Sequence, residues 1–150
     1  MLLLALSRAE RVAGLVGIAS APDFTEDLIW STLTNEQRLC LLDDEVLRLP
    51  SDYGEPTPIT LRLIDEARRH LLLRGLIRLA CPVRLIHGMM DADVPWVTSV
   101  RLAERLAGSD VRLSLVKDGD HRLSRDQDIA LIRDTVEELG GEELAATARC

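Results

Sequence analysis

Apolar and polar residues alternate along this chain with two different periods. Residues 2–9, beginning Leu2-Leu3-Leu4-Ala5-Leu6, are helical in composition. Val12-Ala13-Gly14-Leu15-Val16-Gly17-Ile18-Ala19 is a short run of small and β-branched residues closed by Pro22, the pattern of a strand buried on both faces of a parallel sheet. From residue 22 to 79 no such run occurs. Thr34-Asn35-Glu36-Gln37 has capping-box spacing and opens a helix expected to reach about Leu47. A breaker-rich stretch holding Gly54, Pro56 and Pro58 follows, and Thr60 caps a second helix expected to reach about Arg74. This segment reads as a helical insertion that takes no part in a sheet.

Strand signals return after Cys81-Pro82. Val83-Arg84-Leu85-Ile86-His87 ends at Gly88, and Pro95 opens a helix that Gly108 stops after Ala107. Val111-Arg112-Leu113-Ser114-Leu115-Val116 alternates and runs into Asp118-Gly119-Asp120-His121. Ser124-Arg125-Asp126-Gln127 repeats the capping box and starts a helix to about Leu139, ended by Gly140-Gly141, with 142–150 as a frayed, disordered tail. The order is helix, strand, helical insertion, strand, helix, strand, helix. Such alternation predicts an α/β class with parallel strands and crossover helices, and places chemistry at the carboxyl ends of the strands.

Composition narrows the partners. The 150 residues carry a net charge of −7, which gives no basic face for nucleic acid. No stretch is long enough to span a bilayer. Met1-Leu2-Leu3-Leu4-Ala5-Leu6 lacks the basic start of a signal peptide and reads as the inside of a helix whose beginning is missing, with an apolar face that needs a partner. Cys40, Cys81 and Cys150 form no CxxC pair, so neither zinc nor a disulfide framework is indicated, and a cytoplasmic setting is expected.

Two loops carry the candidate chemistry. Asp91 lies just beyond one strand end and His121 just beyond the next. If the strands are neighbours, both side chains project into one crevice, where a carboxylate fixes the tautomer of an imidazole base. Asp93 is the rival acid, and its nearness to the helix start favours a surface role. His87 at its strand end reads as packing or bonding a neighbouring loop backbone. His70, in Arg68-Arg69-His70, reads as a solvated helix face. His87, Asp91, Asp93 and His121 lack tight ligand spacing, so neither metal nor cofactor is expected.

His87-Gly88-Met89-Met90-Asp91-Ala92-Asp93-Val94-Pro95 resembles the HG-x-x-D-x-x-V-P segment of α/β-hydrolases, and Gly119-Asp120-His121 resembles their histidine loop. The match is nearer to the branch of abhydrolase domain-containing protein 10, on Cys81 to Met89, Val94-Pro95-Trp96 and Asp118 to Arg122, and extends from about Val12 to about Leu139. The resemblance implies the C-terminal portion of an α/β-hydrolase. It implies Asp91 as triad acid, His121 as base, a thioester or carboxyl ester as substrate, and a lid over about 22–79. Trp96 either touches substrate or packs at a helix start. The insertion's leucines, Leu39, Leu41, Leu42, Leu47 and Leu71 to Leu73, could line an acyl channel or pack the lid. Arg62, Arg68, Arg69 and Arg74 could meet an anionic leaving group or water.

One part of the pattern has no counterpart. The nucleophile of this fold sits in Gly-x-Ser-x-Gly and precedes the acid. Ser20 comes nearest, but Ile18 and Pro22 occupy the glycine positions, and Ser99 and Ser124 lie within or at the start of helices. The chain is therefore expected to be a fragment inactive alone. The alternative is a non-catalytic remnant or interaction module, pairing with itself through an exposed sheet edge or with a separately encoded N-terminal half.

Overall fold

The computed structural model of the chain describes residues 1–50 and 54–147, with only the backbone described over 142–147. The chain divides into two units, one of residues 1–22 and 73–150 and one of residues 23–72.

The first unit is built on a parallel sheet. Strands β1 (Leu15–Ile18), β4 (Val83–Gly88) and β5 (Val111–Val116) lie in the order β1-β4-β5, with Leu15 opposite Val83 and Val83 opposite Val111. All six residues of β4 are buried, so side chains on both of its faces are covered, which is why it reads as a largely apolar run. Its two polar residues each have a side-chain partner. Arg84 donates to the Asp110 carboxylate at 2.7 Å, and His87 belongs to the site described below. Around the sheet lie α1 (Leu2–Ser7), α4 (Val97–Arg105) and α5 (Asp126–Thr147). Helix α4 forms the crossover of a β4-α4-β5 unit and buries Leu102 fully.

The expected elements of this unit are present with shifted ends. The Gly140-Gly141 pair does not stop α5, which continues through Thr147 because the helix carries on without a left-handed residue at that point. Of the expected tail, residues 148–150 lie outside the described residues. Helix α4 begins at Val97, two residues after Pro95; the Pro95 carbonyl accepts from Thr98 N–H at 2.8 Å. Arg125, one residue later than the expected Ser124, holds the start of α5, its carbonyl accepting from Asp128 and Ile129.

The second unit corrects one expectation. Besides α2 (Asn35–Asp44) and α3 (Leu61–Arg68) it contains an antiparallel pair, β2 (Val46–Leu49) and β3 (Thr57–Thr60), so the segment is not wholly helical. Helix α2 has the expected capping box at Thr34 and Gln37 but ends at Asp44, because Glu45 turns left-handed with φ 60°. Val46 to Leu49 then alternate in burial as a strand. Leu33, Leu41, Ile59 and Ile64 form this unit's core. Its two ends are pinned together where the Asp23 carboxylate accepts from Leu72 N–H at 2.7 Å. Helix α3 stops at Arg68 instead of about Arg74, leaving His70 exposed in the turn beyond it. Arg68 is committed to the Glu26 carboxylate at 2.7 Å and to the face of Trp30, 4.5 Å from the ring centre, so its role is structural.

Candidate active site

The carboxyl ends of β4 and β5 are joined by their own backbones. Met89 N–H donates to Val116 O at 2.8 Å and Met90 N–H to Gly119 O at 2.9 Å. Gly88 and Gly119 make this approach possible: a Cβ on Gly88 would collide with the carbonyl of Gly119. The loops of Asp91 and His121 are thereby held edge to edge.

Asp91 sits in the first loop with its side chain wholly buried. Its Oδ1 accepts from the backbone N–H groups of Asp93 at 2.9 Å and Val94 at 2.8 Å. Its Oδ2 meets His121 Nδ1 at 2.9 Å and His87 Nε2 at 3.1 Å. Burial acts to raise the carboxyl pKa, but the Val94 N–H, His121 and the Asp93 N–H together outweigh it and hold Asp91 below its ordinary value. The group is a carboxylate at neutral pH, which is the state that can orient an imidazole.

His121 is held from both sides of its loop. Upstream, Asp118 takes Arg125 Nη1 at 2.6 Å; downstream, Asp128 takes Arg125 Nε at 2.7 Å, so one guanidinium spans the loop from strand end to helix start. Arg125 keeps both carboxyls below their usual range. Within the loop, Asp120 Oδ1 accepts from Arg122 and Leu123 N–H, and Leu123 adopts φ 45° with its side chain buried. A left-handed leucine is an unfavourable conformation, maintained here by burial and by the Asp120 bonds. The His121 side chain is 39% exposed, and with Nδ1 given to Asp91 it is Nε2 that remains for a proton from a reacting group.

The structure thus brings Asp91 and His121 together and leaves the Asp93 side chain exposed, contributing its N–H to Asp91. Trp96 is half-buried in the turn that opens α4. Asp91, Asp93 and His121 each offer a ligand atom, all within 4.8 Å of one another. Both Asp91 oxygens are already engaged by two hydrogen-bond partners each, so a cation there would have to displace them.

His87 has a larger part than the sequence suggested. The bond to loop backbone is present, Nε2 to Val94 O at 3.0 Å, but the same nitrogen also reaches Asp91 and Nδ1 meets the hydroxyl of buried Ser99 at 2.7 Å. The available signal was its place four residues before the acid, at the end of a strand otherwise too apolar for a histidine.

Known proteins resemble this chain in sequence and fold. No family model matches the chain. The cattle protein named "Palmitoyl-protein thioesterase ABHD10, mitochondrial" is 38% identical over 137 residues, 90% of this chain and 44% of its own length. A putative hydrolase from Agrobacterium vitis S4 superposes with a TM-score of 0.85 at 38% identity, over 92% of this chain and 57% of that one. Mouse alpha/beta hydrolase domain-containing protein 10 superposes with a TM-score of 0.84 at 37% identity, over 95% and 57%. The chain has an α/β-hydrolase fold. The chain spans about half the length of these relatives. Among the described residues no helix is long and apolar enough to cross a membrane.

Proposed function

We propose that Asp91 and His121 are the acid and base of a serine-hydrolase centre that cleaves acyl thioesters or carboxyl esters. The observation that carries this reading is the 2.9 Å contact between Asp91 Oδ2 and His121 Nδ1 at the joined ends of two parallel strands. Its substrate class is supported by the similarity to a protein named a palmitoyl-protein thioesterase. In the reaction, His121 Nε2 takes the proton of a serine hydroxyl as its oxygen attacks the acyl carbon. The proton then goes to the departing thiolate or alkoxide, leaving an acyl-serine ester that water cleaves by the same base. Asp91 fixes the tautomer and stabilises the imidazolium. Trp96 would line the acyl path beside the acid loop.

The sequence contains no Gly-x-Ser-x-Gly, so we place the serine and its oxyanion donors outside these 150 residues. The test joins residues 1–150 behind the part of mouse ABHD10 that this chain does not match, and assays a palmitoyl thioester and a p-nitrophenyl ester. The expected result is turnover that falls about a thousandfold or more in both Asp91→Asn and His121→Ala, with negligible turnover by residues 1–150 alone. Turnover indifferent to His121, or His121-dependent turnover by residues 1–150 alone, would overturn it.

A second reading, a pairing module, has its own observation. Met1, at the start of α1, is 74% exposed and Leu4 within it 63%, and β1 is an outer strand of the described sheet. Concentration-dependent dimerisation in sedimentation supports this reading, and a monomer at all concentrations removes it. A reducing, cytoplasmic setting is proposed from the free Cys40 and Cys81; the curated relatives are named mitochondrial, and fractionation of cells expressing the chain decides between the two.

A further inference from the structure

His87 is fully buried, as is Ser99, and neither takes part in the proton transfers described above. Burial makes their hydrogen bonds obligatory, since an unpaired polar group there costs stability. The ring nitrogen Nε2 faces two acceptors, Asp91 Oδ2 at 3.1 Å and Val94 O at 3.0 Å. A bare lone pair on Nε2 would be repelled by both, so Nε2 carries the hydrogen. Nδ1 is then the acceptor for the Ser99 hydroxyl at 2.7 Å. Ser99 is fixed in turn by α4, its N–H bonded to Trp96 O at 3.0 Å. A chain of bonds therefore runs from the first turn of α4 through Ser99 and His87 to the oxygen that receives His121.

We propose that His87 is a positioning residue for the acid, resting on the assignment of Asp91 and His121 above: locked as the Nε2–H tautomer by Ser99, it shares Oδ2 of Asp91 with His121 and draws part of the carboxylate's charge away from the base. Asp91 is still held at Oδ1 by Asp93 and Val94 when His87 is changed. Loss of the His87 hydrogen thus concentrates charge on Oδ2 without releasing the carboxylate, and the bond to His121 tightens.

The experiment is nitrogen-15 and proton NMR of the imidazoles in residues 1–150, at about pH 8, above the ordinary histidine range. In the unaltered chain His87 is expected as the Nε2–H tautomer only. In His87→Phe, which keeps a flat ring without N–H, the His121 Nδ1 proton moves downfield. In His87→Gln, which restores an N–H donor, it returns toward its original position. An Nδ1–H tautomer at His87 overturns the proposal even if neither variant folds. So does a His121 proton that stays put or moves upfield in His87→Phe. If His121 itself carries no Nδ1 hydrogen in the unaltered chain, the acid–base assignment fails; if it does and His87 shows the wrong tautomer, the role of His87 alone fails.

Discussion

Met90 donates its N–H to the carbonyl of Gly119 at 2.9 Å, and through that bond the loop of Asp91 is fastened to the loop of His121. The approach leaves no room for a side chain at Gly88, whose missing Cβ would meet backbone atoms of Gly119, nor at Gly119, whose Cβ would meet Val116 and the Cα of Gly88. Backbone cannot step aside as a flexible side chain can. Gly88→Ala is therefore expected to cost about 3 kcal/mol, the upper end for overpacking. Urea unfolding measures this, and amide shifts should change across both loops. A variant as stable as the parent would show that the loops are not in contact.

Asp91 and Asp93 are two residues apart but differ in what their loss leaves behind. Removing the Asp91 carboxylate takes the acceptor from three donors, the N–H groups of Asp93 and Val94 and Nδ1 of His121, and leaves His87 Nε2 with Val94 O alone. Asp91→Ala is expected to cost about 3 kcal/mol, and Asp93→Ala, at an exposed side chain, clearly less. Denaturation midpoints of the two variants check the order, and equal losses would contradict the assignment of Asp91 as the buried acid.

Much of this site was legible in the sequence, for physical reasons that differ by element. Strand β4 announces itself because burial demands an apolar run, β5 because its apolar positions alternate, and helix α4 through Pro95 just before its start, although it ends at Arg105 and not at the expected Ala107 before Gly108. Asp91 and His121 follow, since parallel neighbours put both loops on one rim. The hairpin of β2 and β3 was not legible: leucines in Val46-Leu47-Arg48-Leu49 continue a helical spacing as readily as a strand's, and only the left-handed turn at Glu45 separates them. The bond of His87 to Asp91 was hidden too, because it depends on how the loop folds back over the strand end.

Arg125 bridges Asp118 and Asp128 across the histidine loop, and Asp128 is buried. Arg125→Ala leaves that carboxylate without its bidentate partner, while Arg125→Lys keeps a charge but loses the fork. We expect lower thermal stability and faster amide exchange over residues 118–128 in the alanine variant, with the lysine variant between it and the parent. Unchanged exchange there would mean that the clamp does not hold the loop.

Acid should destabilise the first unit. Asp91, Asp110, Asp118 and Asp128 all have carboxyls held below their ordinary value. A carboxyl lowered in the folded state contributes stability above its unfolded pKa of about 3.9, and the contribution disappears as pH falls through the folded value. Urea midpoints should be nearly level from neutral pH down to about 5 and drop below about 4. Midpoints that hold steady to pH of about 3 would contradict these directions.

The most direct measurement is the tautomer of His121, read from its ring nitrogen shifts in residues 1–150 and in Asp91→Asn. The account predicts hydrogen on Nδ1 and a bare Nε2 in the parent, and loss of that preference when the carboxylate becomes an amide. The same tautomer mixture in both proteins would mean that Asp91 does not orient His121.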